Sequence, residues 1–208
     1  EALSGVKAFV TRADFPTGLK GENFYLQENT IAGDRVLYDG HAVATVAATS
    51  ALIAKDAIKL IEVDYEILPH VTDVDEAMKP DAPVIREDAQ DHSVPEGSPP
   101  NIVSYMDFGH GDLEAGFSDA DLIMENTYKT EAAHQGYIEP HACVGQLGQD
   151  GKGEMWICTQ GQWFIRKMCA SVLGLEASQL RVTPSEIGGG FGGKTTIFSE
   201  ALSLALSR

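Results

Sequence analysis

Apolar and polar positions in the first part of the chain predict a small unit built from strands and a helix. Val6–Thr11 has the composition of a short strand, and the apolar, β-capable run at residues 41–48 predicts a second strand. Residues 13–29 contain one proline and two glycines and therefore predict a loop between them.

A helix and a further strand are predicted next. Thr49 or Ser50 can cap the helix, because a side-chain oxygen at that place accepts a backbone N–H of the first turn. Helical spacing follows in the apolar residues Ala51, Ala54, Ile58 and Ile61. Apolar and acidic residues then alternate over residues 61–67, which predicts a strand with one solvated face.

Residues 71–100 have a different composition. They contain many acids, few large apolar side chains and five prolines: Pro80, Pro83, Pro95, Pro99 and Pro100. Prolines at this density favour extended backbone and are rare inside helices and sheets. The segment is therefore predicted to be a linker, and the clearest domain boundary in the chain lies there.

A second domain is predicted from residue 101 onward. Strands are expected at residues 102–105, 122–130, 142–147 and 154–158, with a turn at Asp150 and Gly151 and a short helix at residues 111–120. Gln162–Leu173 predicts a helix with Phe164, Met168 and Val172 on one face and Ile165 and Cys169 beside them. Gly174 would end this helix. Trp156 and Trp163 are expected in the core.

The most unusual segment lies between a predicted strand at residues 180–183 and a helical apolar stripe that begins near Phe198. Ile187 to Thr195 reads I-G-G-G-F-G-G-K-T, with five glycines in six positions. Glycine adopts positive φ at little steric cost and lets the backbone approach another group closely. We therefore expect a binding loop that serves an anionic group.

Composition narrows the function classes. The net charge is −16 and the hydrophobic content is 43%, which argues for a globular protein and against nucleic acid or an anionic membrane surface as the main partner. The three cysteines form no C-x-x-C pair and are expected to be buried reduced thiols of a cytoplasmic protein. Without a signal-peptide pattern or an initial Met, the chain is expected to be part of a longer cytoplasmic protein.

Two kinds of anion fit the glycine-rich loop. The loop formally matches the phosphate-binding pattern G-x-x-x-x-G-K-[ST] through Gly188, Gly193, Lys194 and Thr195. A nucleoside triphosphatase also needs an acid for Mg²⁺ and a residue that positions the nucleophile, and only 13 residues follow Thr195. The other candidate is an anionic ligand other than a nucleoside triphosphate.

Several segments form a linked set of motifs. They are T-Q-G-Q at residues 159–162, the helix to Leu173, L-R-V at residues 180–182, the glycine-rich loop with Lys194, and E-P-H-A-C-V at residues 139–144. Together they resemble the molybdenum-binding subunit of the xanthine dehydrogenase, aldehyde oxidase and aerobic carbon monoxide dehydrogenase family. The interval of 31 residues from Gln160 to Phe191 also fits. G-V-K-A at residues 5–8 and V-D-Y-E at residues 63–66 resemble the preceding α/β hammerhead domain.

The resemblance implies a fold and a domain division. The fold class is α+β, with an N-terminally truncated hammerhead domain at residues 1–75, a linker at residues 76–100, and the first part of the molybdopterin-binding domain at residues 101–208. The implied cofactor is molybdenum on molybdopterin, expected in the cytosine dinucleotide form for a bacterial member. Iron–sulfur and FAD subunits or domains are the implied electron partners of an oligomeric parent protein.

The resemblance also assigns cofactor-binding residues. Gln160 is expected to hydrogen-bond an oxygen on the metal, and the Phe191 backbone N–H is expected to face the metal's oxygen or sulfur ligands. Gly189, Gly190 and Gly192 would let the loop lie along the pterin. None of these residues is expected to bind molybdenum directly, since in the family the protein acts mainly on the groups around the metal.

Two departures limit what the resemblance implies. Relatives that oxidise purines carry a glutamate where this chain has Thr195, so Thr195 is expected to line a pocket for an aldehyde or another N-heterocycle rather than xanthine. The general-base glutamate of the family lies far downstream, so this piece alone is expected to lack a catalytic residue and to be inactive. Glu200 is expected to face solvent or cap a turn, and His134 and His141 to have structural roles.

Three hypotheses therefore remain from the sequence. The first is part of a molybdenum hydroxylase that oxidises an aldehyde or N-heterocycle with water as the oxygen source. The second is a phosphate-loop nucleotide-binding protein, which would bind magnesium and ATP by itself. The third is a non-catalytic assembly module, which would fold and bind a partner without any cofactor.

Overall fold

The computed structural model describes residues 3–87 and 89–208, which form two compact units. One unit comprises the residues up to Val63 together with Ala133–Arg208, and the other comprises Asp64–Ala132. Of the helices in these described ranges, not one combines the length and apolar character that crossing a bilayer requires. The candidate site lies wholly in the first unit.

The first unit begins with a two-stranded antiparallel sheet. Strand β1 (Val6–Thr11) pairs with β2 (Ala44–Ala48), as the apolar runs predict, with Val10 opposite Thr45. Helix α2 (Ala51–Lys59) follows, and the Ser50 hydroxyl caps it by accepting the Ile53 N–H. A single 3₁₀ turn, Arg12–Asp14, follows β1.

Helix α1 (Glu22–Thr30) lies where the sequence predicts a loop, so that prediction is wrong for these residues. The helix carries no apolar stripe. Its buried residues, Gln27 and Thr30, are polar, and Leu26 packs partly against the core. The Gln27 side chain is fully enclosed and donates to the Val172 carbonyl at 3.0 Å. A tertiary hydrogen bond thus holds a helix that its own periodicity does not specify.

A three-stranded sheet forms the centre of the remainder of this unit. Strands β3 (Cys143–Leu147) and β4 (Gly153–Ile157) pair antiparallel, and β4 pairs parallel with β5 (Leu180–Pro184). The predicted turn joins β3 to β4, where Gly151 has φ +76°. Because β4 and β5 are parallel, a crossover must connect them, and helix α5 (Gln162–Leu173) with the 3₁₀ turn Ala177–Gln179 provides it.

Helices α5 and α6 (Glu200–Leu206) complete this unit. Gly174 ends α5 in the left-handed conformation, at φ +67°, as predicted. The core is apolar and includes Met155, Ile157, Ile165, Cys169, Val172, Leu173, Leu180, Ala201 and Leu204. Burial of these side chains is the main force that holds β4 and α5 in place, and the candidate site follows directly from the ends of these elements.

The buried face of α5 agrees with the predicted one except at Phe164. Ile165, Cys169 and Val172 are buried, whereas Phe164 is 65% exposed. The predicted core positions of the two tryptophans are also wrong, because Trp156 is 41% exposed and Trp163 is 65% exposed. Trp163 instead lies on the outer side of the helix, with the Arg166 guanidinium 5.1 Å from its ring.

The second unit contains two short helices, α3 (Val74–Ala77) and α4 (Leu113–Ser118), and α4 confirms the predicted helix there. The amide of Asn101 organises part of the remainder. It donates to the carbonyls of Ala77 and Pro83 and accepts the Ile85 N–H, at 3.0–3.1 Å.

Three predicted strands, at residues 61–67, 102–105 and 122–130, are not formed in the described residues. A strand needs a neighbour for its N–H and C=O groups, and no strand of the described ranges lies beside these segments. Alternating polarity alone is therefore not enough to form a strand here.

Candidate functional site

The glycine-rich loop follows β5 and precedes α6, but it is not the N-terminal turn of that helix. Helix α6 begins only at Glu200, well after Thr195. In a phosphate-binding loop the backbone amides continue directly into a helix, whose dipole adds to the attraction for the anion. The loop amides therefore do not lie at a helix start, and no helix dipole adds to them.

Lys194 is turned away from the loop interior and into the protein. Its side chain is fully enclosed, and its Nζ lies 2.5 Å from Glu139 Oε2 and 4.9 Å from the centre of the Tyr137 ring. Burial acts to lower the pKa of Lys194, but the hydrogen bond to Glu139 and the nearby Cys158 outweigh it, so the pKa is raised. Lys194 therefore carries a positive charge that a protein carboxylate already neutralises.

Glu139 contacts both ends of the loop. Its Oε2 accepts the Lys194 ammonium and also the Gly188 N–H, the latter at 2.7 Å. The hydrogen bonds from Lys194 and from the Gly188 amide hold the pKa of Glu139 below its ordinary value. The carboxylate is therefore ionised at neutral pH and joins residues that are far from it in sequence.

Gln160 lies directly after the buried Thr159 at the end of β4 and contacts the same loop. Its Oε1 accepts the N–H groups of Gly192 at 2.9 Å and Lys194 at 3.3 Å. These two donors define which end of the amide is the oxygen. Its Nε2 has no hydrogen-bond partner among the described residues, so an amide donor is left for a ligand.

The backbone around Gln160 is fixed as well. The Lys194 carbonyl accepts both the Gln160 N–H and the Thr159 hydroxyl, each at 3.0 Å. Thr159 is buried and its hydroxyl also accepts the Gly161 N–H at 3.1 Å. The end of β4 and the end of the loop therefore form one hydrogen-bonded assembly.

Three of the five loop glycines lie where a side chain would collide with the protein itself. A Cβ at Gly190 would lie 2.5 Å from Gln160 Cδ, and one at Gly188 would lie 2.7 Å from Glu139 Cβ. Gly193 faces Tyr137 and Gln135 in the same way, whereas a Cβ at Gly189 would make only a tight contact, at 3.2 Å, with Phe191 and Tyr137. Only at Gly192 is the space open, and there φ is +88°. Close approach within the protein thus explains much of the glycine content.

Phe191 is the one non-glycine residue with positive φ, at +50°, among the described residues. This conformation costs an L-residue roughly 1–2 kcal/mol. The Phe191 side chain is 73% exposed, so burial of the ring does not account for it. Strain of this kind clusters at functional sites, where the surrounding structure holds the backbone in place.

Three successive amides at the centre of the loop are left for a ligand. The N–H groups of Gly189, Gly190 and Phe191 have no hydrogen-bond partner within residues 3–87 and 89–208. Backbone donors that face no protein acceptor bind water or a ligand, because an unpaired N–H is unfavourable away from water. Together with Gln160 Nε2, these amides are neutral donors on one connected stretch of the site.

Thr195 lies beside the loop and is exposed. Its hydroxyl donates to the Gly192 carbonyl at 2.8 Å and so supports the left-handed turn at that glycine. The hydroxyl oxygen retains its acceptor lone pairs.

Two supporting residues, Gln135 and Tyr137, were missed by sequence reasoning. They lie against Gly193, and the Tyr137 hydroxyl is 2.6 Å from His141 Nε2. His141 packs on Phe198 and His134 packs on Tyr137, which confirms structural roles for both histidines. Burial lowers the pKa of His141. No local pattern in the sequence links Gln135 or Tyr137 to the loop.

Glu200 is buried, so the expectation that it faces solvent is wrong. Its carboxylate accepts the Phe198 N–H at 2.5 Å, which satisfies a donor just before α6. The alternative expectation, that Glu200 caps a turn, is confirmed. Its role is thus explained by the helix terminus.

Two families of known sequences match the chain. The family described as "Molybdopterin cofactor-binding domain" matches residues 94–208, more than half of the chain. The family described as "Aldehyde oxidase and xanthine dehydrogenase, a/b hammerhead domain" matches residues 1–69. The class of protein is therefore a hammerhead domain followed by a molybdopterin-binding domain, and the α+β fold is confirmed.

Individual relatives agree with this class. The chain is 32% identical to "Probable hypoxanthine oxidase XdhD" of Escherichia coli K12, over 96% of this chain and 24% of that protein. It is 34% identical to the "Carbon monoxide dehydrogenase large chain" of Afipia carboxidovorans, over 96% of this chain and 26% of that protein. Among solved structures, the aldehyde oxidoreductase from Desulfovibrio gigas matches with a TM-score of 0.72 and 27% identity. The match covers 98% of this chain and 22% of that protein. The chain thus spans about a quarter of the length of these proteins.

The chain belongs to the xanthine dehydrogenase, aldehyde oxidase and carbon monoxide dehydrogenase family of molybdenum oxidoreductases.

Proposed function

We propose that the glycine-rich loop and Gln160 bind the molybdopterin cofactor of a molybdenum hydroxylase. The observation that carries the proposal is the set of unpartnered donors, which consists of Gln160 Nε2 and the successive amides of Gly189, Gly190 and Phe191. Oxygen and sulfur atoms around molybdenum, and the polar edge of a pterin, are acceptors that such donors recognise. When bound, the cofactor supplies a redox-active metal that can accept electrons from a substrate carbon as that carbon is hydroxylated.

The donor set fits this group for reasons of charge. Amide N–H groups stabilise an oxygen that carries partial negative charge without adding a net charge of their own. The two charged groups at the site, Glu139 and Lys194, are already paired with each other. We therefore propose that Gln160 and Phe191 orient the oxygen or sulfur atoms around the metal, and that neither binds the metal directly.

The glycines act with these donors. Gly189 and Gly192 have positive φ, and the Gly190 and Phe191 amides between them have no acceptor among the described residues. Gly190 lets the Gln160 side chain lie on the loop. We propose that Gly189, Gly190 and Gly192 contact the pterin edge through their backbone.

The substrate is proposed to be an aldehyde or an N-heterocycle, with water as the oxygen source. Thr195 would line its pocket, where a hydroxyl that already donates to Gly192 can only accept from a substrate. A purine would lack the carboxylate partner that a glutamate at this position would give. The names of the relatives include hypoxanthine, carbon monoxide and aldehydes, so membership of the family does not identify the substrate of this protein.

The remaining features of the full protein are also proposals. We expect the cytosine dinucleotide form of the cofactor, a cytoplasmic location, and a general-base glutamate outside the present sequence. We also expect iron–sulfur and FAD subunits as electron acceptors in an oligomeric complex. The relative from Afipia carboxidovorans is called a large chain, which supports an assembly of several chains. The domain bounds 1–75, 76–100 and 101–208 stay predictions.

The phosphate-loop alternative is less well supported. In that role Lys194 would reach the phosphates, but its ammonium is enclosed and bound to Glu139. Releasing it would leave both charges without a partner, and the enclosed ammonium would be the more unfavourable of the two. The third hypothesis, an assembly module, gives no reason for a run of unpartnered amides.

The test uses the full-length protein, purified from its natural source with its partner chains. We expect about one molybdenum per chain by elemental analysis, and cytidine monophosphate on acid hydrolysis. Gln160→Ala should retain the overall fold but lose activity, because it removes both the side-chain donor and the acceptor that holds the Gly192 and Lys194 amides. Gln179→Ala, which removes an amide that bonds Gly151 far from the loop, is the matched control and should keep both molybdenum and activity. Wild-type protein that contains neither molybdenum nor pterin would contradict the proposal.

A further inference from the structure

The ion pair between Glu139 and Lys194 lies at the base of the glycine-rich loop. Its two residues are separated by 54 intervening positions, and they meet because β3, which follows Glu139, and β5, which precedes the loop, flank β4 in one sheet. The Lys194 side chain is fully enclosed, whereas the Glu139 side chain is 33% exposed. The pair is therefore a tertiary contact that forms only when the sheet is complete.

A single carboxylate oxygen joins the two ends of the loop. Glu139 Oε2 accepts the Gly188 N–H at the start and the Lys194 ammonium at the end. Between these two anchors lie the unpartnered amides, the strained Phe191 and the open turn at Gly192. Glu139 thus fixes the distance between the two ends of the loop.

Lys194 also connects this anchor to Gln160. Its N–H donates to Gln160 Oε1, while its carbonyl accepts the Gln160 N–H. Any movement of Lys194 must therefore change the orientation of the Gln160 amide. The N–H groups of Gly192 and Lys194 hold Gln160 Oε1, so the orientation of Nε2 on the same amide group is fixed as well.

We propose that Glu139 and Lys194 are a pair of positioning residues that hold the loop amides and Gln160 Nε2 in the geometry that binds the cofactor. The inference rests on the proposed function. The strain at Phe191 supports it, since a left-handed phenylalanine persists only where neighbouring contacts hold the loop. A buried ion pair is weak as a source of net stability, and here it defines one loop conformation instead.

The test uses the full-length protein with Lys194→Met, which keeps an unbranched side chain but removes the charge. Hydrogen exchange of peptides covering residues 187–195 should become at least tenfold faster, while exchange in α5 stays unchanged. In protein that retains molybdenum, the electron paramagnetic resonance signal of the partly reduced metal should broaden or shift. Lys59→Met, which removes a lysine from the exposed pair with Asp56, is the matched control and should change neither signal nor exchange.

A second variant covers the possibility that Lys194→Met does not fold. Glu139→Asp keeps the charge but shortens the side chain by one methylene, so the carboxylate cannot reach both Gly188 and Lys194 at their present distances. It should show an intermediate increase in loop exchange. Wild-type exchange and a wild-type resonance signal in either folded variant would overturn the positioning role. Absence of molybdenum from the wild-type protein would instead contradict the proposed function, so the two failures are distinguishable.

Discussion

Substitution of Gly190 by alanine is the change whose effect follows most directly from the structure. The new methyl group would lie 2.5 Å from Gln160 Cδ and 2.8 Å from Gln160 Cγ, far inside van der Waals contact. Gly190 is buried, so the backbone has little room to move away. The Gln160 side chain must therefore leave the loop, and its Oε1 loses the N–H groups of Gly192 and Lys194.

The expected magnitude combines two effects. Overpacking of a well-packed position costs about 1 kcal/mol or more. Each lost hydrogen bond costs about 1 kcal/mol, and at least one of the two at Gln160 cannot be replaced while the methyl group is present. The local stability of the loop should thus fall by about 2 kcal/mol, which corresponds to roughly thirtyfold faster exchange of its hydrogen-bonded amides, those of Gly188, Gly192, Gly193 and Lys194.

The assay is hydrogen exchange of the full-length protein, followed in peptides that cover residues 157–165 and 187–195. Gly109→Ala is the matched control, since Gly109 has no positive φ and no atom within 4 Å of the added Cβ. Gly192→Ala distinguishes steric overlap from backbone strain. At Gly192 the space around an added Cβ is open, so only the left-handed backbone would be strained. Exchange at the wild-type rate in Gly190→Ala would refute the close contact between Gln160 and the loop.

Three further predictions address strain, burial and charge at this site and in the core beneath it. Phe191→Gly should relieve the left-handed strain and slow loop exchange by about fivefold, equivalent to about 1 kcal/mol; unchanged or faster exchange would argue against strain. Burial raises the pKa of Cys169 well above its ordinary value. Iodoacetamide should therefore label this thiol at pH 8 only after the protein is unfolded in urea. Rapid labelling of Cys169 in the native protein would contradict its burial. Hydrogen bonds from Lys194 and Gly188 lower the pKa of Glu139 in the folded protein. The carboxylate therefore contributes fully to loop stability at any pH above its unfolded-state pKa. This contribution is lost as the pH falls through the lower, folded-state pKa. Loop exchange, corrected for intrinsic rates, should accelerate across that interval, and Glu139→Gln should abolish the dependence.

The parts of the fold that sequence predicted correctly have local signals. Helix α5 has the expected bounds because helical spacing and a terminal Gly174 agree. Strands β1, β3, β4 and β5 were predicted by apolar runs and a turn at Gly151, and each found a neighbour in a sheet.

The parts that were wrong depend on distant contacts. Helix α1 has no apolar stripe and is held in part by Gln27, whose partner Val172 is 145 residues away. Residues 61–67 alternate as a strand should, yet no strand in the described ranges lies beside them. Trp163 lies on the outer face of α5 because Ile165 and Cys169 occupy the inner one.

The candidate site also contains residues that local sequence motifs predict and residues whose roles depend on distant contacts. The motif spacing selected Gln160 and the glycine-rich loop, and these residues do lie in contact. The role of Lys194 was not visible, because the same letters match a phosphate-binding pattern and its actual partner, Glu139, lies in a distant segment. The cofactor-binding roles of Gln160, Gly189, Gly190, Phe191 and Gly192, and the pocket role of Thr195, stay predictions.

The most direct test of the central claim is an experimental structure of the full-length protein that contains molybdenum. We predict that the cofactor lies against the loop, with acceptor atoms within hydrogen-bonding distance of Gln160 Nε2 and the Phe191 backbone nitrogen. A cofactor bound elsewhere, with these donors facing only water or protein, would contradict the account.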